Sequence, residues 1–356
     1  MGTNTYNFLV VANANNSVVM SEPLELLKTM ANITRLDLMA YSENERYSVF
    51  DDLLKDTDVI ISAPWGHQGI PAFTKERLDI AGKLKVISGT YDYRIDGWLD
   101  VADAKRRGIT VIDTSRSMTP TVAEFALAMI LNLLRNIPYE IDRMRQGKWS
   151  EGWYDIKGFV SGDLTGKRVG LAGFGSICRN LSKLLMPFQC DMRTYDPYVS
   201  DDTLREHNIT RADSLEELSA WSEIFVVGIP PMPHTIKIIN SQVIDAMPNG
   251  SLLVLVTRMA VVDQEPLWRR TSAGEIRAAI DVYDPEPPPL DSPIRTNPNV
   301  LPTPHIAGNT ATAHRRCFLT ACEEALFAIT GKPLKYEVSV HDTAMYSGKV
   351  KIDKPI

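Results

Sequence analysis

The chain has 356 residues, 44% of them hydrophobic and 23% charged, with a net charge of −6. That length suggests two domains, and the mildly acidic balance argues against a nucleic-acid or membrane-surface binder. No apolar run is expected to reach transmembrane length. Met1-Gly2 is followed by Tyr6 rather than the Ser or Thr of a myristoylation signal, and the chain enters the strand-like Phe8-Leu9-Val10-Val11 with no signal peptide. The four cysteines, Cys178, Cys190, Cys317 and Cys322, have no metal-ligand spacing, so no metal is expected. They read as free thiols of a cytoplasmic protein.

Strand and helix signals alternate from residue 7 to residue 112. Strands are expected at Asn7–Val11, Leu36–Ala40, Val59–Ser62, Leu84–Ser88 and Thr110–Asp113, with helical patterns between them. Such alternation implies a parallel sheet with helices on both faces and ligand contacts at the strand ends. An Ala- and Leu-rich helix, Thr121 to Asn136, bridges to a second domain, and residues 139–161 read as irregular. A second alternating series follows. Its strands are Arg168–Ala172, Asp191–Tyr195, Ile224–Ile229, Ser251–Thr257, Ala278–Val282 and Val300–Leu301, and a long helix closes it at about Thr310 to Thr330. Eight prolines between Pro285 and Pro304 make that stretch a rigid, extended loop. From Glu337 the chain is polar and weakly patterned.

The second series opens on Val169-Gly170-Leu171-Ala172-Gly173-Phe174-Gly175-Ser176-Ile177-Cys178, a strand, a glycine turn and a helix start. Glycines there let backbone amides, including those of Ser176 and Ile177, approach a pyrophosphate that the helix N-terminus favours. Asp196 ends the next strand, where a ribose hydroxyl acceptor is needed. The third fingerprint position, normally glycine for close helix–strand packing, is Cys178. Three ionisable residues then stand at strand or loop ends: Arg258, Glu286 and His305.

From about Ile87 to Pro333 the chain resembles the D-isomer-specific 2-hydroxyacid dehydrogenase family, of the phosphoglycerate dehydrogenase type. The resemblance is carried by Val122-Ala123-Glu124-Phe125-Ala126-Leu127, Gly147-Lys148-Trp149, Asp163-Leu164-Thr165-Gly166-Lys167 and the glycine turn. It continues through Met247-Pro248-Asn249-Gly250, Arg258 with Val262-Asp263, Ala279-Ile280-Asp281-Val282-Tyr283 with Glu286-Pro287, and Thr303-Pro304-His305-Ile306. It implies two doubly wound domains of Rossmann-like or flavodoxin-like α/β type. A discontinuous substrate domain would comprise residues 1–120 and 311–356, and an NAD-binding domain residues 121–310, with the active site between them. His305 would be general acid or base, and Glu286 would hydrogen-bond its other ring nitrogen and fix its tautomer. Arg258 would grip a substrate carboxylate and polarise its carbonyl. Gly173, Gly175, Ser176, Ile177, Asp196, Pro230, Thr257 and Gly308 would line the cofactor, and Asp281 would accept from its carboxamide. Asp196, with no arginine in Pro197-Tyr198-Val199-Ser200, favours NAD over NADP. Arg193 is the weaker candidate for a 2′-phosphate.

Departures gather on the substrate side. The family's substrate loop has two glycines whose amides bind the substrate carboxylate. Here Gly89-Thr90-Tyr91 keeps the first and puts a phenol at the second, which should narrow the pocket or reposition the anion. Trp65 and His67 fall in a strand-end loop suited to a substrate contact. Gly228 stands where a histidine often precedes the adenine-side proline, Pro230, and Met259-Ala260 follow Arg258 where glycine is usual. The implied reaction is NAD-dependent interconversion of a small anionic 2-hydroxyacid, or a hydroxylated phosphonate, and its oxo form, in a homodimer. Phosphite oxidation shares the three ionisable residues, whereas the formate dehydrogenase branch lacks the glutamate. An NAD(H)-sensing corepressor on the same fold is the alternative.

Overall fold

The computed structural model describes residues 5–13, 17–28, 30–63, 70–91, 95, 97–149, 158–340 and 343. They form two compact units, one of residues up to Met118 with those from Asn309 onward, the other of Thr119–Gly308.

The first unit begins β1 (Tyr6–Val11), α1 (Ser17–Leu27), β2 (Ala31–Leu36), α2 (Glu43–Leu54) and β3 (Val59–Ser62). It continues α3 (Lys75–Ile80), β4 (Val86–Gly89), α4 (Val101–Arg106) and β5 (Thr110–Asp113). The strands make one parallel sheet in the order β2-β1-β3-β4-β5. β3 and β4 are buried at every residue, as expected of central strands covered on both faces. β2 lies earlier than the expected Leu36–Ala40. As an edge strand it needs no continuous apolar run. The more apolar Leu38–Ala40 instead forms a 3-10 turn, with the Asp37 carboxylate accepting the Met39 amide at 2.9 Å.

The second unit opens with α5 (Thr119–Arg135) and α6 (Ile137–Arg145). The stretch expected to be irregular thus starts as a helix. Asn136 ends α5 in the left-handed region (φ 50°), and Pro138 then serves as a helix start. Buried Arg277 donates to the Leu133 carbonyl and to Asn136 Oδ1, both at 2.7 Å, closing the end of α5. The stretch Thr114–Arg135 is long and apolar enough to cross a membrane by length and composition, contrary to the sequence expectation. Of that window 44% is buried inside the protein, and α5 packs on neighbouring elements of its own unit.

The second sheet is built from β6 (Arg168–Ala172), α7 (Ser176–Leu185), β7 (Asp191–Tyr195), α8 (Asp201–Glu206) and β8 (Thr210–Arg211). There follow α9 (Leu215–Trp221), β9 (Ile224–Val227), α10 (Ser241–Ala246), β10 (Leu252–Leu255), α11 (Gln264–Ser272), β11 (Arg277–Ile280) and β12 (Val300–Pro302). Strand order is β12-β11-β10-β9-β6-β7-β8, all parallel. The chain reverses its direction of travel between β6 and β9, which makes the crevice at their carboxyl ends the expected ligand site.

The last helix, α12 (Ala311–Thr330), belongs to the first unit, where its Ala321 carbonyl accepts from Ser88 Oγ at 2.9 Å. Beyond it, the Lys335 and Tyr336 amides donate to buried Glu324 of α12 at 3.0 and 2.9 Å. Glu337 then bridges Ile112 in antiparallel register, and the Val338 amide reaches the Val111 carbonyl at 2.8 Å. The start of the weakly patterned tail therefore covers the β5 edge, satisfying backbone groups that an open edge would expose.

Candidate active site

Parallel topology brings the carboxyl ends of β6, β7, β9, β10, β11 and β12 to one side of the second sheet. After β6, Gly173 adopts φ +86°, and a Cβ there would lie 3.3 Å from the Gly228 carbonyl carbon and the Ile229 nitrogen. Gly175 precedes α7, and a Cβ built on it meets nothing within 4 Å. The backbone is thus open on the side where a phosphate would approach. Among the described residues no side chain caps α7, and no acidic residue sits in its first turn. By helix geometry the first-turn amides of Ser176 and Ile177 lack intrahelical acceptors, which leaves an anion site. Asp196, after β7, is held in place. Its Oδ2 accepts the Phe174 amide at 2.8 Å, and its Oδ1 accepts those of Tyr198 (2.9 Å) and Val199 (3.2 Å). These residues fit a dinucleotide. Arg193 is turned elsewhere, 3.9 Å from Glu217 and over the Trp221 ring.

Thr257 and Arg258 follow β10. Thr257 Oγ1 donates to the Val227 carbonyl at 3.3 Å, and half-buried Arg258 donates from Nη1 to the Thr257 carbonyl at 2.7 Å. Pro230, after β9, accepts from Thr235 Oγ1 at 2.6 Å in a tight loop. Gly308 closes the segment after β12.

The loop after β12 carries the acid–base geometry. His305 Nδ1 lies 2.6 Å from Glu286 Oε1, and Nε2 has no hydrogen-bond partner among the described residues. His305 adopts φ +53°, a left-handed conformation that costs a residue with a Cβ about 1–3 kcal/mol. Two groups hold it there. Asp281 is fully buried: Oδ1 accepts from Thr303 Oγ1 (2.7 Å) and the Ile306 amide (2.9 Å), and Oδ2 accepts the Ala307 amide (2.8 Å). Asp281, expected to meet a carboxamide, also anchors the loop through these three bonds. Tyr283 donates its hydroxyl to the Thr303 carbonyl at 2.7 Å, with the Ile280 carbonyl at 2.9 Å, and burial pushes that phenol up to about 12. The sequence motif contained Tyr283, but nothing local to it signals this bracing role. Arg295 ties the proline-rich loop, donating to the Pro289 and Pro288 carbonyls at 2.9 and 2.6 Å. Tyr283, Glu286, Arg295 and Pro304 help wall a cavity of about 420 Å³ under the proline-rich loop, which Glu286 lines and His305 does not.

The substrate loop of the first unit departs from expectation. Tyr91 is 1% exposed, its ring 5.1 Å from that of Trp98 and its hydroxyl 3.4 Å from Ser62 Oγ. Burial raises its pKa well above the ordinary phenol value. The phenol therefore fills the core of its unit rather than narrowing a pocket, since burying a large ring outweighs exposing it. It lies under Gly89, where a Cβ would come 2.9 Å from the Tyr91 hydroxyl. The Tyr91 amide is also taken, by Asp113 Oδ1 at 3.1 Å. Thr90 is buried, with Oγ1 3.1 Å from that of Thr114. Trp65 and His67 lie outside the described residues.

The second unit is thus a doubly wound domain with a hydrogen-bonded histidine–glutamate pair at the carboxyl ends of its strands. The family model described as "D-isomer specific 2-hydroxyacid dehydrogenase, NAD binding domain" matches residues 127–307. The chain belongs to that family, and NAD(H) is its cofactor. It is 30% identical over 266 residues to a D-3-phosphoglycerate dehydrogenase of Archaeoglobus fulgidus, covering 74% of this chain and 49% of that protein. It therefore spans about half the length of that curated relative. A formate dehydrogenase of Neurospora crassa is 33% identical over 280 residues, 76% of this chain and 72% of its own. The crystal structure of a phosphoglycerate oxidoreductase from Rhizobium etli superposes with a TM-score of 0.78 at 23% identity, covering 95% and 99% of the two chains, a likeness of fold.

Proposed function

We propose that the chain is an NAD-dependent oxidoreductase interconverting a small D-2-hydroxyacid, or a related hydroxylated anion such as a phosphonate, and its oxo form. The reading is carried by His305, fixed through Nδ1 at 2.6 Å from Glu286 with Nε2 left for a substrate oxygen. Bound NAD(H) supplies or accepts the hydride. His305 delivers a proton to the ketone oxygen in reduction and removes it in oxidation, and Glu286 keeps the ring oriented and balances its charge. Arg258 grips the acid group and polarises the carbonyl. Gly89 and Thr90 contribute backbone to the substrate loop. Tyr91 contributes less than the sequence suggested, because its amide is bonded to Asp113. Asp196 supports NAD over NADP, because a 2′-phosphate would meet a carboxylate and Arg193 is engaged by Glu217. The formate reading is weaker. Releasing hydride from formate leaves carbon dioxide and requires no proton transfer at the substrate, so the Glu286–His305 pair would have no task there. No observation favours a corepressor.

A panel of 2-oxoacids and phosphonates assayed with NADH and NADPH tests this. At least one substrate should support NADH oxidation, and Arg258→Lys should lower its kcat/KM by about 10²-fold, a loss of about 2.7 kcal/mol. Turnover of no anion, or an unchanged kcat/KM in the lysine variant, counts against the assignment.

We also propose a homodimer. Ile137, Ile141 and Met144 recur at helical spacing on α6 and are 38%, 44% and 60% exposed, with Trp149 beyond them at 72%. That apolar stripe suits a second copy of the chain. Sedimentation is expected to show twice the 39.7 kDa mass; a single species at the monomer mass would rule the dimer out.

A further inference from the structure

Two departures from the family pattern, Cys178 in place of a glycine in α7 and Gly228 in place of a histidine after β9, read as unrelated in the sequence. In the fold they meet. A Cβ built on Gly228 would lie 2.2 Å from Cys178 Sγ, so the two atoms claim the same volume. The same Cβ would also lie 3.3 Å from the carbonyl oxygens of Ala172 and Gly173, the end of β6 and the start of the nucleotide turn. Cys178 is fully buried, and the partly buried Gly228 is fixed by its amide, which bonds the Ala172 carbonyl at 2.8 Å. Gly173, at φ +86°, packs back on the Gly228 backbone. A side chain at 228 would thus push either on the first turn of α7 or on the turn itself, because packed interiors have no slack to absorb an extra atom.

We infer that Cys178 and Gly228 are a size-matched pair that replaces the third glycine of the fingerprint and sets how close α7 stands to β6 and β9, and hence where the phosphate-binding amides lie. The inference rests on the reading of this turn as the NAD site. Cys178 is a positioning residue, and its thiol carries no chemistry: burial pushes it up to about 12, leaving it protonated.

Moving the volume from one position to the other tests the pair. Four proteins are compared by NADH fluorescence titration and thermal unfolding: the parent, Cys178→Ala, Gly228→Ala and the double variant. Gly228→Ala is expected to weaken NADH binding at least tenfold, and Cys178→Ala about threefold. In the double variant the new methyl occupies the space the sulfur vacated, and binding should return to within about threefold of the parent. Losses that multiply, or a Gly228→Ala protein that binds like the parent, overturn the inference. If Gly228→Ala does not fold, a folded double variant that binds NADH supports the pairing, and a double variant that also fails refutes it. If the parent itself binds no NADH, the cofactor reading fails. The pair is then judged on melting temperature alone: recovery in the double variant supports it and additive loss refutes it.

Discussion

Replacing His305 by asparagine is expected to lower kcat for 2-oxoacid reduction by about 10³-fold, equivalent to about 4 kcal/mol of transition-state stabilisation. Affinity for NADH should change by no more than about twofold. The choice of asparagine separates chemistry from backbone. His305 sits at φ +53°, and asparagine visits that region more readily than most residues, so the loop keeps its course while the proton donor disappears. The residue holds a strained conformation and a 2.6 Å bond to Glu286, and strain of this kind persists where surrounding structure over-determines it. Steady-state kinetics with a fluorescence titration would check it. A variant keeping more than a tenth of the parent kcat would show that His305 is not the proton donor.

The second large effect concerns Asp281, through the loop it holds. Its carboxylate satisfies a hydroxyl and two amides of the 303–307 loop from a fully buried position. Asp281→Ala leaves the Ile306 and Ala307 amides without an acceptor and the Thr303 hydroxyl with only the Ile280 carbonyl at 3.4 Å, at about 1–3 kcal/mol for each buried group left unpaired. Because the loop can relax and admit water, we expect a net loss of roughly 3–5 kcal/mol. At about 2–4 °C per kcal/mol for a unit of this size, the melting temperature should fall by about 10 °C. Activity should fall with it, by about 10² in kcat, since His305 is placed by the segment Asp281 holds. Differential scanning calorimetry and kinetics on the same preparation would decide. A melting temperature within about 2 °C of the parent would mean that Asp281 does not bear the loop.

The loop shows why these residues differed in legibility. His305, Glu286 and Arg258 could be placed at strand or loop ends from short local patterns, and the resemblance carried by the ordered motifs around them singled them out. The roles of Asp281 and Tyr283 in the loop could not be read this way. Both bond to Thr303, which is 22 residues away from one and 20 from the other along the chain. Only the β11–β12 pairing, Ala278 with Val300 through Ile280 with Pro302, brings them together. The strand at Ala31–Leu36 is not legible in the sequence for a related reason. Its partner β1 fixes it register by register, from Tyr6–Ala31 to Val11–Leu36, so it needs little apolar signal of its own.

What the sequence by itself determined was the local and periodic: alternating strands and helices, the glycine turn from Gly173 to Cys178 and the acid at Asp196. These follow from backbone propensity and side-chain chemistry within short windows, whereas the proposed acid–base pair is implied by the resemblance that an ordered series of motifs carries. Tertiary structure alone decided which way Tyr91 turns, that Asp113 takes its amide, that Asp281 braces the histidine loop and that Cys178 and Gly228 share one volume. Each of those outcomes depends on which distant atoms compete for the same space or the same hydrogen bond, and close packing resolves that competition only once the sheets have assembled.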